Sequence, residues 1–315
     1  MKRQFDFAVD EKGVGERMDY FLLSKLNEDR NFEISRKSVK KMIEAGNVFL
    51  NKHRAKITTI TLALNDKIAV KIDPKQMKQK DLEVTFSMTD DHVAYEDPSI
   101  IILNKPAGLP TQGTVDPRRD HLYAAVQRYL KQRNPLRDVY VGLHHRLDRD
   151  TSGVIMMTKK SSANKACGEI FQNREAIKEY LAICHKNPEW NKERWIIKNH
   201  LDRSKENKMK MTIVNSGGDH AITSFKVLKD LGDTVLVEAK PKTGRMHQIR
   251  VHLASIGMPI IGDSTYCPIE KDKLLKKRPM RCMLHAQRLT FPHPVSKKLI
   301  CVEAAVPDDF KPFIK

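Results

Sequence analysis

The chain has 315 residues, 40% of them hydrophobic, and sets 57 Lys and Arg against 39 Asp and Glu for a formal net charge of +18. That is enough apolar material for one large domain and a small one, and the basic excess, most of it beyond Asp90, suits a protein that rests on phosphates. Five cysteines with no CxxC pair argue against a disulfide framework and the usual thiolate zinc sites. The charged start, MKRQFDFAVDEKG, and the lack of any long apolar run argue against a signal peptide and a membrane span, so the expectation is a cytoplasmic protein.

Met18, Phe21, Leu22 and Leu26 recur at helical spacing. Ser35 is a ready cap for a second helix ending at Gly46, with Val39, Met42 and Ile43 inward. Arg36, Lys37, Lys40 and Lys41 then project from its remaining surface. A short strand over Val48 to Leu50, a turn at Asn51 to Arg54 and a strand over Lys67 to Ile72 complete a small module, residues 1–74. Asp73 to Asp81, DPKQMKQKD, is charged, contains a proline and has almost no apolar anchor, which is linker composition. The predicted boundaries are a linker at 75–89 and a larger domain at 90–315.

In the larger domain, apolar runs at Ile100 to Leu103, Val154 to Met157, Tyr180 to Cys184 and Val235 to Ala239 read as strands, and Tyr123 to Gln132 and Ile249 to Ile256 as the clearest helices. The predicted class is α+β, with a mixed, mainly antiparallel sheet. Lys186 to Lys210 has both charges and no clean period, and reads as an insertion at the sheet's rim. GLHHRLDRDTSGVIMMTK, Gly142 to Lys159, carries the most information. It sets Asp148 in a polar turn that feeds a strand covered on both faces, and Gly153 permits a backbone angle that residues with a Cβ resist. A loop held by such a strand is where a site belongs.

This string resembles the HRLD-x-x-TSG motif of the pseudouridine synthases named after ribosomal large-subunit pseudouridine synthase A. NKPAGLPT (Asn104 to Thr111), KEYLA (Lys178 to Ala182), TGRMHQIRVHLASIGMPIIGD (Thr243 to Asp263) and MLHAQRLTFPHP (Met283 to Pro294) extend the resemblance in order from about Asp90 to the C-terminus. ISRKSVKKMIEAGNVFLNK, around Arg36, Lys37, Lys40 and Lys41, looks like the RNA-binding module first seen in ribosomal protein S-four. The resemblance implies that uridine in RNA is isomerised to pseudouridine without a cofactor. It implies Asp148 as the catalytic carboxylate, Arg250 as its partner, and Tyr180 as the residue that stacks on the target pyrimidine and could take its proton. An arginine there would keep the carboxylate ionised in a pocket otherwise unkind to charge.

A stacked base hides its glycosidic bond, so the target nucleotide must leave the stack. Arg146 matches the residue that fills the gap. Lys178, two residues before Tyr180, points to the same strand face and suits a phosphate or the site edge, as does Arg245 in the TGR turn. His145 is read as a support for the loop. His247 and His252, five apart on the expected helix, do not share a face, so no metal is expected. Gly257 and Pro259 end that helix. The expected partner is RNA, ribosomal first and transfer RNA second. Two rival readings are a non-catalytic RNA-binding assembly factor and an RNA glycosidase using Asp148 with Asp150. TKK at Thr158 to Lys160 and TQGT at Thr111 to Thr114 depart from the commonest family pattern and leave the target uridine open.

Overall fold

A computed structural model of the chain describes residues 3–28, 32–55, 57–72, 78–79, 85–113, 120–136, 138–207 and 209–314. Most of the expected linker, and Thr114 of the TQGT stretch, lie outside these residues. The chain divides into two compact units, Met1–Val84 and Thr85–Lys315.

The first unit runs β1 (Arg3–Ala8), α1 (Met18–Asn27), β2 (Phe32–Glu33), α2 (Arg36–Glu44), β3 (Val48–Leu50), β4 (His53–Arg54), β5 (Lys67–Ile72) and β6 (Lys78–Gln79). Four of these strands form an antiparallel sheet in the order β1-β5-β3-β4. The helices bury the faces their spacing predicts: Met18, Phe21, Leu22 and Leu26 from α1, and Val39, Met42 and Ile43 from α2. Ser35 caps α2 by accepting the Ser38 N–H, which satisfies an otherwise orphaned donor. Strand β1 was not anticipated, although Phe5 and Phe7 are half-buried between exposed Gln4, Asp6 and Ala8, the alternation of a strand with one wet face.

The second unit begins with β7 (Val93–Glu96), β8 (Ile100–Lys105), α3 (Leu122–Arg133), β9 (Gly142–Leu143), β10 (Ser152–Thr158), α4 (Asn164–Gln172) and β11 (Ile177–His185). It continues with β12 (Arg194–Arg203), β13 (Met211–Val214), β14 (Asp219–Asp230), β15 (Thr234–Pro241), α5 (Gln248–Ser255), α6 (Ile269–Lys273), β16 (Leu284–Pro292), β17 (Leu299–Glu303) and α7 (Lys311–Ile314). Its sheet runs β13-β12-β14-β15-β11-β16-β10-β8-β7, with β17 on β16 and β9 on β10. Of its named pairings only β10 with β16 is parallel, which is the mixed, mainly antiparallel α+β arrangement expected.

The unbroken apolar runs have a simple cause. Along β8 and β10, Ile101, Leu103, Ile155 and Met157 enter one core with α3, while Ile100, Ile102, Val154 and Met156 enter another with Cys167 and Ile170 of α4. Both faces are covered, so neither carries the polar alternate of a half-exposed strand. The stretch Lys186 to Lys210 departs from its expected form as an unpatterned insertion: ten of its residues are β12, paired on both sides. Its period of two is present, with Trp195 and Leu201 buried and Arg194, Ile196, Lys198, His200 and Asp202 exposed, but the charges of the wet face obscure it.

Gly153 stands where the loop that carries Asp148 enters this sheet. Its φ is +112°, and a Cβ there would lie 2.1 Å from the carbonyl oxygen of Ala286, its partner in the parallel pairing. Both strain and a backbone clash oppose any side chain. Gly153→Ala is therefore expected to lower the unfolding free energy by roughly 2–5 kcal/mol, read by denaturant titration; a loss under about 0.5 kcal/mol would contradict this account of the turn.

Candidate active site

The loop between β9 and β10 is pinned from several sides, and Asp148 lies at its centre. Thr111, buried, donates its hydroxyl to the Leu147 carbonyl (2.7 Å) and accepts the Leu147 N–H (3.1 Å). Lys105, with no exposed surface, donates Nζ to the carbonyls of Pro106, Leu109 and Arg149 at 3.0, 2.7 and 2.9 Å. Burial lowers its pKa to about 7 against the pull of Asp150 and Asp148. His145 accepts the Met156 N–H at 2.9 Å and stacks on Phe171; burial pushes its pKa down to about 3, so it holds the loop as a neutral acceptor, the support expected of it.

Arg250 reaches this loop from α5. Its Nη1 donates to Asp148 Oδ2 at 3.1 Å, while Nε and Nη2 donate to the two oxygens of Asp263, each at 2.7 Å. Arg250 and Asp263 are 8% and 1% exposed. The guanidinium also lies over the Tyr266 ring, 5.1 Å from its centroid. Burial works against its charge, but Asp263 more than offsets this and raises the pKa above the ordinary arginine value. Asp263 is steadied in turn by the N–H groups of Thr265 and Tyr266 at 3.0 and 3.2 Å. Sequence reasoning missed it; its position closing the long motif directly after Gly262 was the available signal.

A cavity of about 750 Å³ opens on this group, and Asp148, Tyr180, Arg250, Arg146, Lys178 and Arg245 all line it. Tyr180 is buried on β11, and desolvation together with Asp148 raises its pKa. Lys178 lines the same cavity from the same strand, with its pKa lowered by burial. Arg146 is exposed. Arg245 is held by Nε on the His220 carbonyl at 3.2 Å and by an ion pair to Asp219. Gln248 braces the turn below it through Thr243, the Arg245 N–H and the Ile222 carbonyl.

Among the described lining residues Asp148 is the only acid, and Arg174 and Lys242 add two cations that the sequence did not single out. Asp150 does not line the cavity and is paired with Arg149 at 2.9 Å, so the two-carboxylate arrangement has no second acid there.

The other candidates lie elsewhere. Arg36, Lys37, Lys40 and Lys41 are on α2 of the first unit. Lys37 and Lys41 are exposed and Lys40 half-buried. Arg36 is instead tied to the buried carboxylate of Asp19 at 3.2 Å and stacked 4.0 Å over Tyr20. His247 and His252 do not converge, but for a different reason from helical spacing. His247 precedes α5 in a left-handed conformation, whereas His252 is buried against Thr223 and Asn199.

His185, Cys267 and Asp272 do converge, with the chemistry of metal ligands, away from the cavity. Asp272 already accepts from His185 at 2.8 Å, from the Cys267 thiol at 3.6 Å and from the Gly262 N–H at 3.0 Å. That set fastens α6, whose one buried residue is Asp272, to β11.

Residues 99–255 match the family described as RNA pseudouridylate synthase. The chain is 30% identical over 321 residues to a ribosomal large subunit pseudouridine synthase C of Buchnera aphidicola subsp. Schizaphis graminum, covering 97% of this chain and 95% of that one. It is 34% identical over 252 residues to the protein of the same name from Rickettsia bellii, covering 78% and 80%. The structure of human RNA pseudouridylate synthase domain containing 1 superimposes with a TM-score of 0.55 and 28% identity, over 73% of this chain and 89% of that one.

The Asp263 contacts carry a direct consequence. Asp263→Ala leaves a buried guanidinium without its main partner, which is expected to cost about 3–5 kcal/mol of stability and to abolish turnover in the fraction that folds. Stability within about 1 kcal/mol of wild type, with normal turnover, would contradict the assigned anchoring.

Proposed function

The chain belongs to the RNA pseudouridylate synthase family, in the branch named after ribosomal large-subunit pseudouridine synthase A, and is an RNA pseudouridine synthase; from this we propose that it acts on uridine in large-subunit ribosomal RNA, with Asp148 as its catalytic carboxylate. The observation that carries the proposal is the one acid among the described residues that line a basic cavity, held at 3.1 Å by a guanidinium that is itself anchored on Asp263. The curated relatives named above, which are ribosomal large-subunit enzymes by name, favour that RNA over transfer RNA.

The reaction breaks the bond from the sugar's anomeric carbon to N1 of uracil and joins that carbon to C5. The C5 proton leaves and N1 ends with a proton, so electrons balance without a redox partner. Three things are needed: an ionised oxygen beside the sugar, walls that retain the detached base, and a route for the proton. Asp148 supplies the oxygen. Arg250 holds it in orientation, and the ring of Tyr180, which lines the cavity, gives the base a face to stack on. The target is extruded from its helix into the cavity, and exposed Arg146 takes the space it leaves.

Phosphates flanking the nucleotide meet Lys178 and Arg245. The first unit, with two helices on a small sheet and the exposed Lys37 and Lys41 of α2, serves as a ribosomal-protein-S-four-like RNA-binding module over residues 1–74, joined through 75–89 to the catalytic domain at 90–315. Arg36 belongs to its internal structure as much as to the RNA footprint, because Asp19 already neutralises it.

Purified protein is expected to release tritium from C5-labelled uridine in ribosomal RNA, and Asp148→Asn to abolish release while RNA affinity stays within about threefold. Full release by that variant would remove Asp148 from the chemistry. Mapping pseudouridine in cells with and without the protein separates the ribosomal from the transfer RNA reading. Affinity is also expected to fall steeply with salt, and Lys40→Ala with Lys41→Ala to flatten the log–log slope by about 1–2. An unchanged slope would take α2 out of the interface.

A further inference from the structure

His247 takes no part in the proposed steps, yet its ring nitrogen lies 3.8 Å from the Asp148 carboxylate. Its backbone is left-handed, with φ 55° and ψ 15°, a conformation that costs a residue with a Cβ about 1–3 kcal/mol and persists where the surroundings impose it. The turn is imposed here by the Gln248 braces and by the start of α5, whose Val251 N–H bonds to the His247 carbonyl at 2.9 Å. The side chain lines the cavity, with Nε2 3.8 Å from Asp148 Oδ2 and Nδ1 3.0 Å from the Tyr266 hydroxyl.

The hydrogen-bond inventory chooses the tautomer. The Tyr266 hydroxyl oxygen accepts the Met211 N–H at 2.7 Å, and its single proton is then free for one acceptor. If that proton goes to Nδ1, the imidazole proton sits on Nε2 and points at the carboxylate. The other tautomer would set a nitrogen lone pair against an anion and leave the phenol proton without a partner. Burial holds the His247 pKa below the ordinary histidine value, against the opposing pull of Asp148, which keeps the ring a neutral donor. Arg250, Asp263 and Arg146 are the other charged groups that act on it.

Both contacts to the Asp148 side chain are made to Oδ2: Arg250 at 3.1 Å and His247 at 3.8 Å. Among the described residues Oδ1 carries no hydrogen bond. We infer that His247, oriented by Tyr266, is a positioning residue that donates Nε2–H to Oδ2 of Asp148 and, with Arg250, reserves Oδ1 for the nucleotide. The inference rests on the proposed catalytic role of Asp148. A separation of 3.8 Å is longer than a formed hydrogen bond, and contraction on substrate binding is the usual behaviour of such contacts. A neutral donor suits the site: it orients the carboxylate without adding a second full charge that would weaken its reactivity.

Steady-state tritium release tests this. His247→Ala is expected to lower kcat roughly tenfold to hundredfold with KM for RNA within about twofold. His247→Gln, whose amide nitrogen can stand where Nε2 stood, is expected to recover kcat to within about fivefold of wild type. A kcat for His247→Ala within about twofold of wild type would overturn the inference, as would equal losses in the Ala and Gln variants. Should the Ala variant fail to fold, Tyr266→Phe decides: it keeps the ring over Arg250 and removes the hydroxyl. It is expected to lower kcat several-fold in the wild-type background and to have no further effect combined with His247→Gln; additive losses would overturn the assignment. If Asp148→Asn is inactive while His247→Ala is normal, only this inference fails. If Asp148→Asn is active, the catalytic reading fails first.

Discussion

The site depends on one buried cation, the Arg250 guanidinium, shared unequally between two carboxylates. Asp263 takes two of its bonds at 2.7 Å and Asp148 one at 3.1 Å. A guanidinium with 8% exposure left unpaired in such a place would cost the fold several kcal/mol, because it stays charged and is cut off from water. The asymmetry is what makes the arrangement useful. Since Asp263 holds the arginine by two bonds of its own, a change in the charge or bonding of Asp148 would not release the group that orients it. The fixed dipoles and charges are in place beforehand, which is where electrostatic catalysis obtains its effect.

The fold supplies two rigid approaches to that ion pair. One is β10, buried on both faces and entered through Gly153, the single residue type compatible with a φ of +112° against the Ala286 carbonyl. The other is α5, launched from the left-handed His247 and braced at its start by Gln248. Lys105 and Thr111 tie the loop between β9 and β10 to the segment after β8 through the Arg149 and Leu147 carbonyls and the Leu147 amide, and Lys105 is itself held by the Pro106 and Leu109 carbonyls. Few of these residues face the cavity, yet each sets where Asp148 stands, and displacements of about 1 Å are enough to cost a catalyst two orders of magnitude.

Much of this was legible in the sequence because the pattern and the chemistry coincide in the same residues. Unbroken apolar runs on β8 and β10, the Ser35 cap and the Asp148 turn all follow from local composition, and the six residues named for the cavity do meet there. What escaped was written in non-local contacts. Asp263, Lys105 and Thr111 lay inside the recognised motifs, but their importance comes from partners 13 to 44 positions away, and nothing in a linear reading distinguishes a lysine that holds three carbonyls from one on the surface. Strand β12 was hidden by the charges on its wet face. Arg36 read as a surface cation until Asp19, 17 residues upstream, was seen to claim it. His247 was assigned to a regular helix because a left-handed residue leaves no mark in composition.

The most direct measurement is a crystal structure of the Asp148→Asn protein bound to RNA that contains the target uridine. The account predicts an everted nucleotide in the cavity, its anomeric carbon about 3–3.5 Å from the side chain at position 148, with Arg250 still bonded to Asp263. A uridine left in its stack, or one whose sugar lies beside a different carboxylate, would contradict it.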